Sequence, residues 1–226
     1  MSKPVVVAID GPGASGKDTV GRLLAARLGF TFVDTGAMYR AVTWLAMERR
    51  VALDDEAALS RLAMEATIQF LRDREDPTCA RVTINGHDVT DWIHSPEVDT
   101  RVSLVARVKG VRDALVSMQR QMGDSGGVVM AGRDIGTVVL PDASLKIYLE
   151  ASLEERARRR YVEVRSKGEE ADFNQVLAEL RERDRIDTER KVSPMRPAKE
   201  AKVIVTDGLD PEGVVTVIMG EVKAGC

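Results

Sequence analysis

Short apolar runs alternate with longer amphipathic segments along most of this chain. Five short runs are mainly apolar and contain valine or isoleucine, namely residues 5–10, 30–33, 127–131, 145–149 and 202–206. Such runs are typical of strands that are buried on both faces of a parallel sheet. Between them, apolar positions recur at helical spacing over residues 17–28, 37–49, 111–122, 153–166, 173–190 and 211–222. The alternation predicts an α/β fold, with a five-stranded parallel sheet flanked by helices.

Parallel sheets collect ligands at the carboxyl ends of their strands. Gly11, Asp34, Gly132 and Glu150 each follow the end of a predicted strand. We therefore expect these four positions to converge near one crevice.

Two stretches interrupt the alternation. Residues 67–71, 80–84 and 85–89 read as short strands, and Asn85-Gly86 is a strong signal for a hairpin turn. They predict a small antiparallel subdomain. Residues 156–196 are charged, helical and poor in apolar anchors, which indicates a mobile arm of two helices.

Composition narrows the function classes. The 226 residues are 44% hydrophobic and 31% charged, with a net charge of −3, so bulk attraction to nucleic acid or to a membrane is not expected. Cys79 and Cys226 lie too far apart for a disulfide framework or a metal motif, which favours a reduced, cytoplasmic setting. No apolar run approaches the roughly 20 residues of a membrane span, and no signal peptide is recognised at the start.

The loop after the first strand carries the strongest chemical signal. It reads Gly11, Pro12, Gly13, Ala14, Ser15, Gly16, Lys17, Asp18 and Thr19, and a helical pattern follows it directly. A strand, a glycine-rich loop, a lysine and a helix form a cradle for the phosphates of a nucleoside triphosphate. The alternative is a tight turn with an exposed lysine. The simple pattern also has serine or threonine directly after the lysine as a magnesium ligand, whereas this chain has Asp18 there.

Three further groups could bind a second anionic ligand. Thr35 and Arg40 follow the second strand, although Thr35 could be a helix cap and Arg40 a surface arginine. Arg133 and Asp134 follow the third strand in an unusual Gly-Arg-Asp turn, for which a loop salt bridge is the alternative. Residues 183, 187 and 190 share one helix face, where the alternative is a surface ion pair. His87 and His94 are expected at the surface, and no catalytic triad or metal-ligand pattern is present.

Taken together, these segments resemble those of the bacterial cytidylate kinases, a nucleoside-monophosphate kinase family, over essentially the whole chain. The matching segments are 9–19, 34–40, 132–139, 141–143 and 182–184, together with Asp187 and Arg190. The resemblance implies transfer of the γ-phosphoryl group of ATP, with Mg²⁺, to CMP or dCMP. It also implies a P-loop core (1–62, 104–155 and 197–226), a β-containing insert that binds the monophosphate (63–103) and a helical lid (156–196). We expect a monomer.

The resemblance also implies a role for each site residue. The loop from Gly11 to Thr19 would bind ATP. CMP would be bound by Thr35, Arg40, Ser103, Arg112, Arg133, Asp134, Arg183, Asp187 and Arg190, and the catalytic positive charge would come from Lys17, Arg133, Arg183 and Arg190. Ser103, Arg112 and Asp134 would read the cytosine edge.

Two positions depart from the family pattern. The residue before Gly-Arg-Asp is often acidic in the family, and here it is Ala131. Glycine or serine usually follows the loop lysine, where this chain has Asp18. One hypothesis is that the carboxylate of the magnesium shell has moved from the strand end to the loop, where Asp18 would act through water without direct ligation. The alternative is that Asp18 faces solvent on the first helical turn.

Two rival functions stay open at this point. The acceptor could be uridylate, adenylate or shikimate, since the phosphate loop does not discriminate among acceptors. The chain could also be a regulatory module that binds a nucleotide without turning it over.

Overall fold

The computed structural model describes residues 5–72 and 80–224, which form an α/β fold. The strands are β1 (Val6–Asp10), β2 (Thr31–Asp34), β3 (Ile68–Arg72), β4 (Ala80–Ile84), β5 (His87–Asp88), β6 (Val128–Gly132), β7 (Leu145–Glu150) and β8 (Lys202–Val205). The α-helices are α1 (Lys17–Leu28), α2 (Thr35–Glu48), α3 (Glu56–Glu65), α4 (Pro96–Ala106), α5 (Lys109–Asp124), α6 (Leu153–Ser166), α7 (Phe173–Glu189) and α8 (Pro211–Ala224). Within these described ranges no helix is long and apolar enough to cross a membrane.

The main sheet confirms the predicted five-stranded architecture. Its strand order is β2-β6-β1-β7-β8, and β1 pairs in parallel with both β6 and β7. The last residue of β1, Asp10, therefore stands level with Gly132 of β6 and Tyr148 of β7. This register brings the loops that follow β1 and β6 to the same edge of the sheet, as the strand-end argument predicted.

The chain divides into two compact units. The larger unit comprises Met1–Val33 and Ser125–Cys226, and the smaller unit comprises Asp34–Asp124. In the larger unit, the buried faces of α1 and α8 pack with the central strands around Val7, Ile9 and Ile147. The smaller unit has its own core, built from α2–α5 and the second sheet. The predicted boundaries of the core, the insert and the lid are functional assignments and stay predictions.

The β-like stretch forms the predicted antiparallel sheet. Strands β3, β4 and β5 pair in that order, and Asn85 and Gly86 both have positive φ in the turn between β4 and β5. Residues 73–79, and with them Cys79, lie outside the described residues, as does Cys226. His87 and His94 are exposed, as expected.

Two helices of the smaller unit were missing from the prediction. They are α3 and α4, and the start of α4 had a readable signal, because Ser95 caps it and Pro96 occupies the first turn. The side chain of Ser95 accepts from the main-chain N–H of Val98. Both helices lie in segments where short apolar spacings are interrupted by charges, so periodicity alone did not reveal them.

The predicted arm consists of α6 and α7, and it has more anchoring than the sequence suggested. Ala157, Val176 and Leu180 form a small buried cluster between the two helices. Ser152 caps α6 and Asp172 caps α7 through side-chain acceptors. The two helices therefore pack on each other through a small apolar core.

Helix α8 offers a matched test of the core. Val215 is fully buried and Val217 is 48% exposed on the same helix. We expect Val215→Ala to lower the free energy of unfolding by about 2 kcal/mol, because it removes buried methyl groups and leaves a cavity. Val217→Ala should change it by less than about 0.5 kcal/mol. Urea unfolding of both variants measures the difference, and equal losses would contradict the placement of α8.

Candidate active site

The loop between β1 and α1 is held in a shape that requires glycine at its first position. Gly11 has φ +152°, and a Cβ there would overlap the main-chain oxygen of Leu149. Ala14 and Gly16 also have positive φ, at 57° and 92°. These turns curl the backbone into the concave loop that the sequence predicted.

Lys17 lies at the first residue of α1, inside this loop. Its ammonium is buried and donates to the main-chain oxygen of Pro12 at 2.7 Å, with Ser15 Oγ at 3.5 Å. No side chain caps the start of α1, where Gly16 is the N-cap. A helix N-terminus of this kind and a buried ammonium together favour an anion, as the phosphate-binding hypothesis requires.

Asp18 and Thr19 follow on the first turn of α1, and both are exposed. The part of the chain that the structure describes contains no group of three or more acidic, histidine or cysteine residues that could hold a metal ion. Asp18 is therefore the carboxylate on this turn that could meet a magnesium ion brought in with phosphate, through water, because Mg²⁺ keeps several waters in such sites.

Asp10 connects the end of β1 to the loop after β6. Its carboxylate is buried and accepts from the main-chain N–H groups of Ile135 at 2.6 Å and Gly136 at 2.8 Å. These residues begin a short π-helix, Ile135–Val139. Burial raises the pKa of Asp10 to about 6, although the two N–H groups offset part of that rise.

Arg133, Asp134, Asp187 and Arg190 form one ionic cluster within the larger unit. Arg133 Nε donates to Asp187 Oδ2 at 3.0 Å. Arg190 lies 3.7 Å from Asp187 Oδ1 and 3.6 Å from Asp134 Oδ1. Burial acts to raise the pKa of Asp187, but the charges of Arg133, Arg190 and Arg183 outweigh it, and this pKa lies below its ordinary value. With Arg183, whose charge also acts on Asp187, the structure brings together the five residues of the larger unit that were predicted to bind the second ligand.

The ionic cluster reaches the phosphate loop. A Cβ placed on Gly13 would lie 3.5 Å from Arg133 Nη2 and 3.4 Å from Leu180 of α7. Arg133 and the arm therefore stand next to the middle of the loop. The cluster has two arginines at its centre whose carboxylate partners could give way to a phosphate.

Two further arginines, which the sequence did not single out, join the arm to the loop. Arg156 is buried, donates to the main-chain oxygen of Gly13 at 3.2 Å and pairs with Asp184 at 2.7 Å. Arg159 donates to the main-chain oxygens of Ser15 at 3.4 Å and Thr206 at 2.6 Å. Their spacing of three residues on α6 was the signal that could have indicated a shared face.

In the smaller unit, α2 carries Thr35 and Arg40. Asp34 caps the helix by accepting from the N–H of Ala37 at 3.3 Å, and Thr35 is buried. Arg40 donates through Nε to Asp99 of α4 at 3.2 Å. Asp99 was not among the predicted site residues, because nothing in the sequence pairs it with Arg40.

Ser103 and Arg112 lie in the same unit, on α4 and α5. Ser103 is buried four residues after Asp99, so both are on one face of α4. Arg112 is only 2% exposed, and its guanidinium lies 5.3 Å from the ring centroid of Tyr39 and donates to Ala106 at 3.3 Å. A buried arginine held by a ring and a carbonyl has an orientation fixed in advance, which suits recognition of a ligand.

Known proteins similar to this chain belong to one family. The family model described as cytidylate kinase matches residues 7–224. The chain is 52% identical over 219 residues to a cytidylate kinase of Pelotomaculum thermopropionicum, covering 97% of this chain and 96% of the relative. It is 47% identical over 209 residues to one of Bacillus velezensis, covering 92% of each. The resemblance read from the motifs is thereby confirmed.

Among solved structures, a shikimate kinase from Bacteroides thetaiotaomicron matches with a TM-score of 0.50 at 11% identity, covering 97% of this chain and 98% of that one. At this identity the likeness concerns the fold alone. It agrees with the predicted P-loop kinase architecture, which is confirmed.

The raised pKa of Asp10 gives a prediction about stability. In the folded chain this carboxyl group holds its proton up to about pH 6, whereas in the unfolded chain its pKa is near 3.8. Its contribution to stability is therefore greatest at low pH and is lost as pH rises through about 6. From pH 8 to pH 5, the free energy of unfolding of the wild type should rise relative to Asp10→Asn by about 1 kcal/mol.

Urea unfolding of both proteins at pH 5, 6, 7 and 8 measures this change. The difference between the two proteins is the relevant quantity, because all other titrating groups are common to both. Parallel pH profiles for wild type and variant would contradict the burial of an ionisable Asp10.

Proposed function

Since the chain belongs to the cytidylate kinase family, we propose that it transfers the γ-phosphoryl group of ATP to CMP or dCMP and releases ADP with CDP or dCDP. The observation that supports the proposal most directly is that the phosphate loop and the ionic cluster lie next to each other in the larger unit. Lys17 lies inside the phosphate loop, and Arg133 of the ionic cluster reaches that loop at Gly13.

The loop from Gly11 to Thr19 binds the phosphates of ATP in this proposal. The curled backbone and the uncapped start of α1 supply N–H groups, and Lys17 supplies charge to the outer phosphates. Lys17 now donates to Pro12 and would exchange that carbonyl for phosphate oxygen.

We assign roles toward the acceptor nucleotide to residues of each unit, taken separately. In the larger unit Arg133, Arg183 and Arg190 face the phosphate of CMP and Asp187 its ribose, while Asp134 accepts from the amino group of cytosine. In the smaller unit Arg40 faces the phosphate, Thr35 contacts the nucleotide, and Ser103 and Arg112 donate to the base. Uracil presents an acceptor where cytosine presents its amino donor, so the Asp134 carboxylate disfavours UMP.

Phosphoryl transfer requires no nucleophile from the protein. An oxygen of the CMP phosphate attacks the γ-phosphorus in line, and the bond from that phosphorus to the oxygen bridging to ADP breaks. Lys17, Arg133, Arg183 and Arg190 supply positive charge around the transferring group. The segment 156–196 acts as the lid that excludes water, and 63–103 as the insert that receives the monophosphate.

Magnesium arrives with ATP and neutralises charge on its β- and γ-phosphates. Asp18, which is exposed at the start of α1, would contact it through water and not directly. We further propose that the protein acts as a monomer in the cytoplasm, without a nucleic acid or membrane partner.

An acceptor panel tests the reaction. With ATP as donor, CDP formation from CMP should exceed UDP formation from UMP, and AMP and shikimate should be inert. Asp134→Asn should lower the ratio of kcat/KM for CMP to that for UMP by about 10- to 100-fold, because the amide can turn its NH₂ group toward uracil. The exposed Asp142→Asn serves as a matched control and should keep the ratio. A wild type that forms no CDP would contradict the proposal.

Lid closure predicts a pattern of protease protection. ATP and CMP together should protect residues 156–196 from limited proteolysis more strongly than either ligand alone, because both are needed to draw in the arginines of the arm. Mass spectrometry of the fragments locates the cuts. Equal protection by ATP alone would indicate a nucleotide-binding switch.

The role of Asp18 can be tested by magnesium titration. Asp18→Ser should raise the Mg²⁺ concentration for half-maximal rate several-fold, since one contact through water is lost. Adding a carboxylate at the strand end, in Asp18→Ser/Ala131→Asp, should lower it again. An unchanged magnesium dependence in the single variant would show that Asp18 only faces solvent.

A further inference from the structure

Asp10 is a buried carboxylate for which the transfer reaction has no use. It is only 3% exposed and stands at the last position of β1, directly before Gly11. Its two oxygens accept from two consecutive N–H groups, those of Ile135 and Gly136. A charged group in such a position is costly unless both oxygens are satisfied, so its place in the fold requires a reason.

The reason lies in the turn that Asp10 caps. Asp134 occupies the N-cap position of the short helix Ile135–Val139, where an aspartate ordinarily accepts from the N–H groups of its own helix. Its side chain makes no such bond. Instead, Asp134 Oδ1 lies 3.6 Å from Arg190 Nη2. The capping is therefore done by a carboxylate from another strand.

The main chain of the turn lies close enough to Asp10 for Asp10 to cap it. Gly136 has no Cβ, and one placed there would lie 3.3 Å from Asp10 Oδ2 and from the stem of Lys146. The register of β1 and β6 places Asp10 level with Gly132, two residues before Asp134. The turn therefore lies close to Asp10, with little room for an additional side-chain atom at position 136.

We propose that Asp10 is a positioning residue for base selection: it caps the Gly-Arg-Asp turn in place of Asp134, whose carboxylate, held beside Arg190, then accepts from the amino group of the acceptor base. This inference rests on the proposed function. Asp10 acts on base selection through Asp134. Asp10 also connects the Gly-Arg-Asp turn to the phosphate loop, because Gly11 follows Asp10 directly in the chain.

A carboxylate suits this role better than an amide. Two N–H donors face Asp10, and a carboxylate accepts with both oxygens. Asparagine accepts with one oxygen and turns its NH₂ group toward the other N–H. The freed N–H then competes for the Asp134 carboxylate, which is the nearest alternative cap in sequence.

The decisive experiment measures kcat and KM for CMP and UMP with wild type and Asp10→Asn. The ratio of kcat/KM for CMP to that for UMP should fall about 10-fold, which corresponds to the loss of one charged hydrogen bond. The fall should come mainly from a higher KM for CMP, while the KM for ATP stays within about 2-fold of wild type. In an Asp134→Asn background, Asp10→Asn should lower the ratio by less than about 2-fold, because the two act on one contact.

Gly136→Ala is a second way to disturb the capping of the turn by Asp10. The added Cβ pushes the turn away from Asp10 while both carboxylates are retained in the sequence, so we expect a lower CMP-to-UMP ratio here as well. Asp210→Asn is the matched control. Asp210 caps α8 of the same unit by accepting from Gly213 at 2.7 Å, and its substitution should leave the ratio unchanged.

The outcomes separate the inference from the proposed function. An unchanged ratio in both Asp10→Asn and Gly136→Ala, with an active wild type, overturns the inference alone. Equal rises in KM for ATP and for CMP also overturn it, because they indicate general damage to the loop. A wild type that forms no CDP overturns the proposed function and the inference with it. If Asp10→Asn does not fold, Gly136→Ala decides the matter by the same ratio.

Discussion

The proposed chemistry of the larger unit depends on its ionic cluster, in which opposite charges pack together away from water. Arg190 is within 3.7 Å of both Asp187 and Asp134, and Arg133 donates to Asp187. Removing such groups from water is costly, and their mutual attraction offsets the cost only while every member is present. The proposed role of the cluster uses the same chemistry, because a guanidinium that pairs with a carboxylate can also pair with a phosphate.

The sheet determines where this cluster stands. Because β1 pairs in parallel with β6 and β7, the loops that follow these strands meet at one edge. The phosphate loop follows β1, and the Gly-Arg-Asp turn follows β6. The strand order thus explains why two segments more than a hundred residues apart in the chain lie at the same edge of the sheet.

Much of this could be predicted from the sequence, since the relevant signals are local. Five buried runs gave the main sheet, and the helices α1 and α6 have the bounds that periodicity predicted. The partners of the charged residues could not be predicted. Nothing in the sequence links Arg40 to Asp99, or Arg156 to the main-chain oxygen of Gly13, because those contacts depend on how helices pack.

Arg156 has a mechanical consequence. Its guanidinium joins Gly13 of the loop, Ala151 at the end of β7 and Asp184 of α7. A rotation of α7 that breaks the Asp184 contact would leave this guanidinium held only by main-chain oxygens, including that of Gly13. The position of α7 is thereby coupled to the main chain of the phosphate loop, through Arg156 together with Arg159, which donates to the main-chain oxygen of Ser15.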